Sequence, residues 1–303
     1  MSARSRRLAH TASATLGLVA AAVTLVHTDF ATLRRFGPWA VFVVGVEGVR
    51  VVVEALATRS LHGESVRVPW IPLLRAHGVG YALANTLPAG RSLAETVKAV
   101  MLTPWASGAR SAGVAATNQA LVLISTGMLS MVWSLPAWAL GQRTLAATAA
   151  VHGAAIVSLG VALVAIVRNP TVAAWVSRCF PRVALHVEGV RQGARPAGLP
   201  LALACFTFHR AVQAVQITVL LGALGRWDVL RALALAGAAI VGTTAGVVTP
   251  GQVGAVGASL ALAAPGLDLA ASQALAVALV LHAAQFAWSS LGFGWWTLTR
   301  SRR

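Results

Sequence analysis

Acidic residues are scarce in this sequence. Eight aspartates and glutamates serve 303 residues, charged residues of both signs make up 11%, and lysine occurs once, as Lys98. A soluble domain covers itself with about 25% charged residues, so a water-facing globular surface is excluded for most of the chain. Catalytic motifs are missing too. No H-E-x-x-H, G-x-S-x-G or Walker A run occurs, and no clustered aspartates are there to hold the magnesium of a prenyl diphosphate. A membrane transferase would have little to work with. The reading is therefore not an enzyme, with no cofactor and no metal. The two cysteines, Cys179 and Cys205, make no C-x-x-C or zinc spacing and stand as isolated thiols.

What is abundant is apolar. Hydrophobic residues make up 57% of the chain and mean hydropathy is +0.74, the composition of a polytopic membrane protein. Residues 1–303 read as a single integral membrane domain. The formal net charge is +16. In a soluble protein that would suggest nucleic acid. Here the arginines fall between apolar segments, which points to membrane topology and anionic lipid headgroups, with no nucleic acid partner.

Segments long enough to span lie near 12–28, 38–58, 113–140, 145–167, 199–224 and 271–298, each close to the roughly 20 residues a bilayer requires. The basic N-terminus followed by an apolar run is read as an uncleaved first span. Two further apolar regions are broken, 69–107 by LPAGRS and 229–268 by TPGQVGAVG. Basic clusters sit at the N-terminus (Arg4, Arg6, Arg7), in the centre (Arg168, Arg178, Arg182, Arg191, Arg195) and at the C-terminus (Arg300, Arg302, Arg303). The positive-inside rule puts all three in the cytoplasm of a cell inner (plasma) membrane. Each half then needs an even number of crossings. The clear spans already supply that number, so each broken region enters and leaves from one side.

The expected fold is an all-α polytopic helix bundle with six full spans and two re-entrant hairpins in an inverted repeat, or eight spans if the second hairpin crosses. Residues 1–168 form the first repeat half, 169–198 a cytoplasmic interfacial segment and 199–303 the second half. In the interfacial segment Trp175, Val176, Cys179, Val183 and Val187 recur at helical spacing, with Pro181 positioned to kink or divide the helix.

The first break, NTLPAGRSLAETVKA, carries unusual chemistry for membrane depth. Broken backbone persists there only inside protein or along a watery cavity. Pro88 removes a donor and Gly90 frees a turn. A following helix from about Ser92 would have S-L-A-E as a capping box through Glu95. Its N-terminal amides, with Arg91 and Lys98, would attract an anion such as a lipid phosphate. The rival reading is a plain cytoplasmic loop. The second break, VVTPGQVGAVGASL, is uncharged. Pro250, Gly251, Gly254 and Gly257 allow a turn or close helix packing.

Polar residues also fall inside the spans. Glu47, Arg50 and Glu54 share one helix face and either pair internally or line a polar path. His209, Arg210, Gln213 and Gln216 pose the same choice, and His282 with Gln285 a smaller version of it. His77 and His152 read as packing residues.

The two breaks carry a resemblance. Leu87, Pro88, Arg91, Glu95 and Lys98 in the first, and Pro250 with Gly254 in the second, resemble the transmembrane region of lysylphosphatidylglycerol synthases, a family also described as flippase-like integral membrane proteins. The resemblance spans about residues 10–298. Ala94 replaces a glycine before Glu95, and Gly257 stands where a late glutamate is expected. The resemblance implies translocation of an anionic or isoprenoid-linked lipid between leaflets, not lysyl transfer. On that expectation Arg91 and Lys98 receive the headgroup, Glu47, Arg50, Glu54, Arg210 and Gln213 line the route, and Arg91→Glu abolishes transport. The rival is a non-catalytic accessory subunit partnered with lipid or envelope biosynthesis enzymes, a reading the missing late glutamate favours.

Overall fold

The computed structural model describes residues 26–63, 66, 68–87, 90–179, 198–247 and 252–300. The described secondary structure is helical, without strands. Ten α-helices follow in order: α1 (Phe30–His62), α2 (Trp70–Thr86), α3 (Gly90–Met101), α4 (Gly108–Ala139), α5 (Arg143–Arg168), α6 (Pro170–Cys179), α7 (Leu199–Ala223), α8 (Val229–Ala245), α9 (Val253–Ala263) and α10 (Ala271–Arg300).

Local signals set several boundaries. Asp29 caps α1, its carboxylate accepting from the Ala31 amide at 2.9 Å and the Thr32 hydroxyl at 2.7 Å. Asp228 caps α8 by accepting from the Arg231 amide. Ser107 does the same for α4 through the Arg110 amide. The described part of the expected interfacial helix runs from Pro170 to Cys179, and Pro181 lies outside the described residues. Val183 and Val187 lie outside the described residues, as does most of the expected span 12–28.

Among the described residues four helices are long and apolar enough to cross a membrane: α4, α5, α7 and α10. These coincide with four of the expected spans. Helix α1 has 33 residues, about 50 Å at 1.5 Å per residue. It is the helix that carries Glu47, Arg50 and Glu54. Helices α2, α3, α8 and α9 have 17, 12, 17 and 11 residues. Each is about 16–26 Å long, shorter than the roughly 30 Å hydrocarbon core.

The short helices form two antiparallel hairpins. In the first, Gly80 lies against the Lys98 side chain and Gly90 against the Leu83 carbonyl. In the second, Ser259 Oγ donates to the Ala238 carbonyl at 2.5 Å. There Gly242 meets the backbone of Ala255 and Val256. A β-carbon at either tip glycine would collide with main chain, so close approach explains the residue type.

The packing has an internal symmetry. Exchanging α1 with α7, α2 with α8, α3 with α9 and α4 with α10 maps every helix contact among these eight onto another observed one. Thus α2 packs on α10 as α8 packs on α4, and α3 on α4 as α9 on α10. The exchanged pair α1 and α7 runs antiparallel, since Gln216 meets Val43 while Gly198 meets Ser60. This is the geometry of an inverted repeat. Helix α5 lies outside it. Only 17% of its apolar window is buried, and it is held to α4 partly by Ser130 Oγ donating to the Ala149 carbonyl. Helix α8, by contrast, is buried almost all round, with Ala232, Ala234, Leu235, Ala236, Ala238, Ala239 and Ile240 in the core.

Candidate functional site

The centre of the bundle is where α1 crosses α7. About two turns of α1 place Glu47, Arg50 and Glu54 on the buried face. Helix α7 answers with His209, Gln213 and Gln216, also buried. A polar ladder inside membrane helices persists where its members satisfy one another, and Glu47, Arg50, His209 and Gln216 are joined by hydrogen bonds.

Glu47 is the most fully bonded. Arg50 Nη1 donates to both of its oxygens at 2.8 and 2.9 Å. Gln216 Nε2 donates to Oε2 at 2.8 Å and also to the Val43 carbonyl at 3.1 Å. The Tyr81 hydroxyl, from α2, donates to Oε1. Arg50 Nη2 then donates to His209 Nε2 at 3.0 Å. That assigns the His209 proton to Nδ1, which faces the Arg50 carbonyl at 3.3 Å. Position 209 is thus a neutral ring in a fixed tautomer.

Glu54 reaches the other way. Its Oε1 accepts from Arg91 Nη2 at 2.8 Å, joining α1 to the tip of the first hairpin. His209 Nδ1 lies 3.7 Å from Oε1, and His77 Nδ1 3.8 Å from Oε2. His77, expected to be a packing residue, therefore belongs to the site.

The first hairpin departs from its expected chemistry in two respects. Helix α3 starts at Gly90, so Ser92 lies inside it and the S-L-A-E capping box does not form. Ser92 instead lies at the cavity wall. The structure also separates the two cations. Arg91 points to Glu54, whereas Lys98 Nζ donates to Glu95 Oε1 at 2.6 Å. Glu95 Oε2 lies 3.5 Å from Asn118 Nδ2, which bonds Thr58 Oγ1 at 2.8 Å. This pair forms a second buried cluster beside the first. Pro88, Pro250 and Gly251 lie outside the described residues. Gly254 sits in the first turn of α9, and Gly257 is buried one turn further on.

Between the two hairpin tips lies a cavity of about 150 Å³. All eight repeat helices except α9's distal turns contribute to its wall. Arg50, Tyr81, Arg91, His209, Arg210 and Gln213 line it, together with Thr243, Gln252, His282 and Gln285. Gln252 adopts a left-handed backbone (φ 57°) at the second tip. His282 Nδ1 and Gln285 Oε1 are 3.0 Å apart. The volume is enough for several waters.

Among the described residues the lining contains three arginines and no carboxylate. Glu47 and Glu54 sit behind it and answer Arg50 and Arg91. Arg210 has no such answer among the described residues. Its Nε donates to the Thr126 hydroxyl at 3.1 Å, a neutral partner. Gln213 Oε1 and Arg50 Nε are buried without hydrogen-bond partners. A cavity with one uncompensated guanidinium and flanking donors is suited to an anion.

Sequence reasoning did not single out Tyr81, Thr126, Asn85 or Gln252. Tyr81 alone carried a signal, as the only tyrosine in the chain, about two turns before the break.

A search of curated proteins and a search of solved structures each return no match. A family model described as the lysylphosphatidylglycerol synthase TM region matches residues 9–294. That range takes in both hairpins, the α1–α7 ladder and the cavity between them, so the chain belongs to the lysylphosphatidylglycerol synthase TM region family.

Proposed function

We propose that this protein binds the headgroup of an anionic lipid in the central cavity and carries it between leaflets. One observation supports this above the rest: Arg210 lines the cavity with no acid partner, while two further arginines share the wall. An isolated cation at membrane depth is costly. A phosphate or phosphoglycerol group offsets that cost and is the commonest anion of a bilayer. The inverted pairing of the hairpins gives the cavity two related walls, the arrangement that alternating access exploits.

Within this reading Arg210 and Arg91 contact the phosphate. Arg50 is held back by Glu47 and shapes the wall. Gln213 supplies an acceptor for a headgroup hydroxyl. The Glu95–Lys98 pair braces α3 against α4 and takes no part in binding. The missing glutamate at Gly257 is not needed, because no acid lines the cavity.

The test is a proteoliposome assay with headgroup-labelled phosphatidylglycerol beside labelled phosphatidylcholine. Protein-dependent movement of the anionic lipid, reduced at least tenfold by Arg210→Gln, is expected. No movement of any labelled lipid would overturn transport and leave the accessory-subunit role.

A further inference from the structure

A second hollow opens on the outside of the same region. It lies between α3 and α4, has a volume of about 410 Å³ and is predominantly apolar. Its walls are small. Ala99 and Val100 on α3 face Gly108, Ala112, Ala115 and Ala116 on α4. Val100 is 64% exposed, and Ala112 is exposed as well, so the hollow is a groove open on the outside of the bundle.

Two features tie the groove to the central cavity. Ser92 and Gln119 line both. At that seam the Gln119 Oε1 is buried and has no hydrogen-bond partner. An unpaired buried acceptor costs free energy, and its placement fits a donor arriving along the seam. The groove's length is also informative. From Gly108 to Gln119 the helix rises about 16 Å, close to half of the roughly 30 Å hydrocarbon core. That is the depth of one leaflet and the reach of one acyl chain.

The geometry points to a chain-binding groove: one acyl chain of an anionic glycerophospholipid lies between α3 and α4 while its headgroup occupies the cavity, with the Gln119 Oε1 at the seam accepting from a headgroup hydroxyl. This rests on the proposed headgroup site and adds how the rest of the molecule is held. The selectivity comes from the charged end.

The experiment uses the full chain in phosphatidylcholine vesicles containing a small fraction of phosphatidylglycerol with a photoreactive diazirine on one acyl chain. After irradiation, labelled peptides are mapped by mass spectrometry. The expected result is at least fivefold enrichment in peptides covering 96–103 and 108–119 over the lipid-facing helix α5. Unlabelled phosphatidylglycerol should compete, and phosphatidylcholine should not. Ala112→Phe should lower groove labelling at least fivefold. Val100→Trp, on the opposite and exposed wall, should do the same and guards against a folding defect in the first variant. Uniform labelling of groove and α5, or competition by phosphatidylcholine equal to that by phosphatidylglycerol, overturns the proposal. Calorimetry with glycerol 3-phosphate, which has no chain, reads the cavity alone. Binding of glycerol 3-phosphate without groove labelling removes the groove and keeps the headgroup site. Absent glycerol 3-phosphate binding together with competition that ignores headgroup charge removes both.

Discussion

The two hairpins share a shape but not a chemistry. Each is a pair of short antiparallel helices whose tip meets the same cavity, and each packs on the same two long helices in exchanged roles. The first is tied to the bundle by charge: Arg91 to Glu54 at the tip, and Lys98 to Glu95 along the arm. The second is tied by contact. Gly242 and Gly246 let α9 approach, Ser259 bonds the Ala238 carbonyl, and α8 is wrapped in alanine. Its ion pairs lie at its base, where Arg231 meets Asp228 and Asp268. The inverted repeat therefore supplies a frame, and the polar work has been placed on one side of it. In the proposed site the second hairpin is the neutral wall of the cavity.

The comparison can be broken most severely at its hinge point. Glu47→Ala removes the acceptor for Arg50, Tyr81 and Gln216 together and strands a buried guanidinium. A loss of about 3–5 kcal/mol is expected, read as a fall in thermal unfolding temperature in detergent. Breaking the second hairpin requires only bulk. Gly242→Val drives a side chain into the backbone of Ala255 and Val256 and should cost about 1–3 kcal/mol. Hydrogen exchange should rise over 229–263 while the first hairpin stays protected.

Glu54→Gln tests the charged tether. Replacing a charge-assisted bond to Arg91 by a neutral one should cost about 1–2 kcal/mol and loosen 90–101 in the same exchange experiment. Added phosphatidylglycerol should restore protection in that segment, because the freed Arg91 gains a new anionic partner. The smallest effect belongs to the exposed end. Asp268→Asn keeps a residue type tolerant of the left-handed φ of 54° and loses a surface ion pair. A cost under about 1 kcal/mol is expected, shrinking further as salt is raised.

Much of this frame was legible in the sequence. Apolar run length marked α4, α5, α7 and α10 within a few residues, because a bilayer imposes a minimum length on any helix that crosses it. The breaks marked the two hairpins, since Leu-Pro-Ala-Gly and Thr-Pro-Gly-Gln cannot continue a helix cheaply. The ladder of Glu47, Arg50 and Glu54 showed itself by spacing. What spacing could not supply was partner choice. Arg91 and Lys98 are seven residues apart and chemically alike, yet one reaches α1 and the other pairs on its own helix with Glu95. Tyr81, His77 and Thr126 were hidden for the same reason: their roles depend on contacts with residues distant in sequence, Tyr81 with Glu47, His77 with Glu54 and Thr126 with Arg210. The capping box failed on a smaller margin, since α3 begins two residues earlier than Ser92.

The central claim is that Arg210 makes the cavity an anion site. The most direct measurement is calorimetric titration of glycerol 3-phosphate into the purified protein, wild type beside Arg210→Met. The account predicts saturable binding by the wild type that weakens with salt and falls at least tenfold in the variant. Equal binding by the two proteins would contradict it.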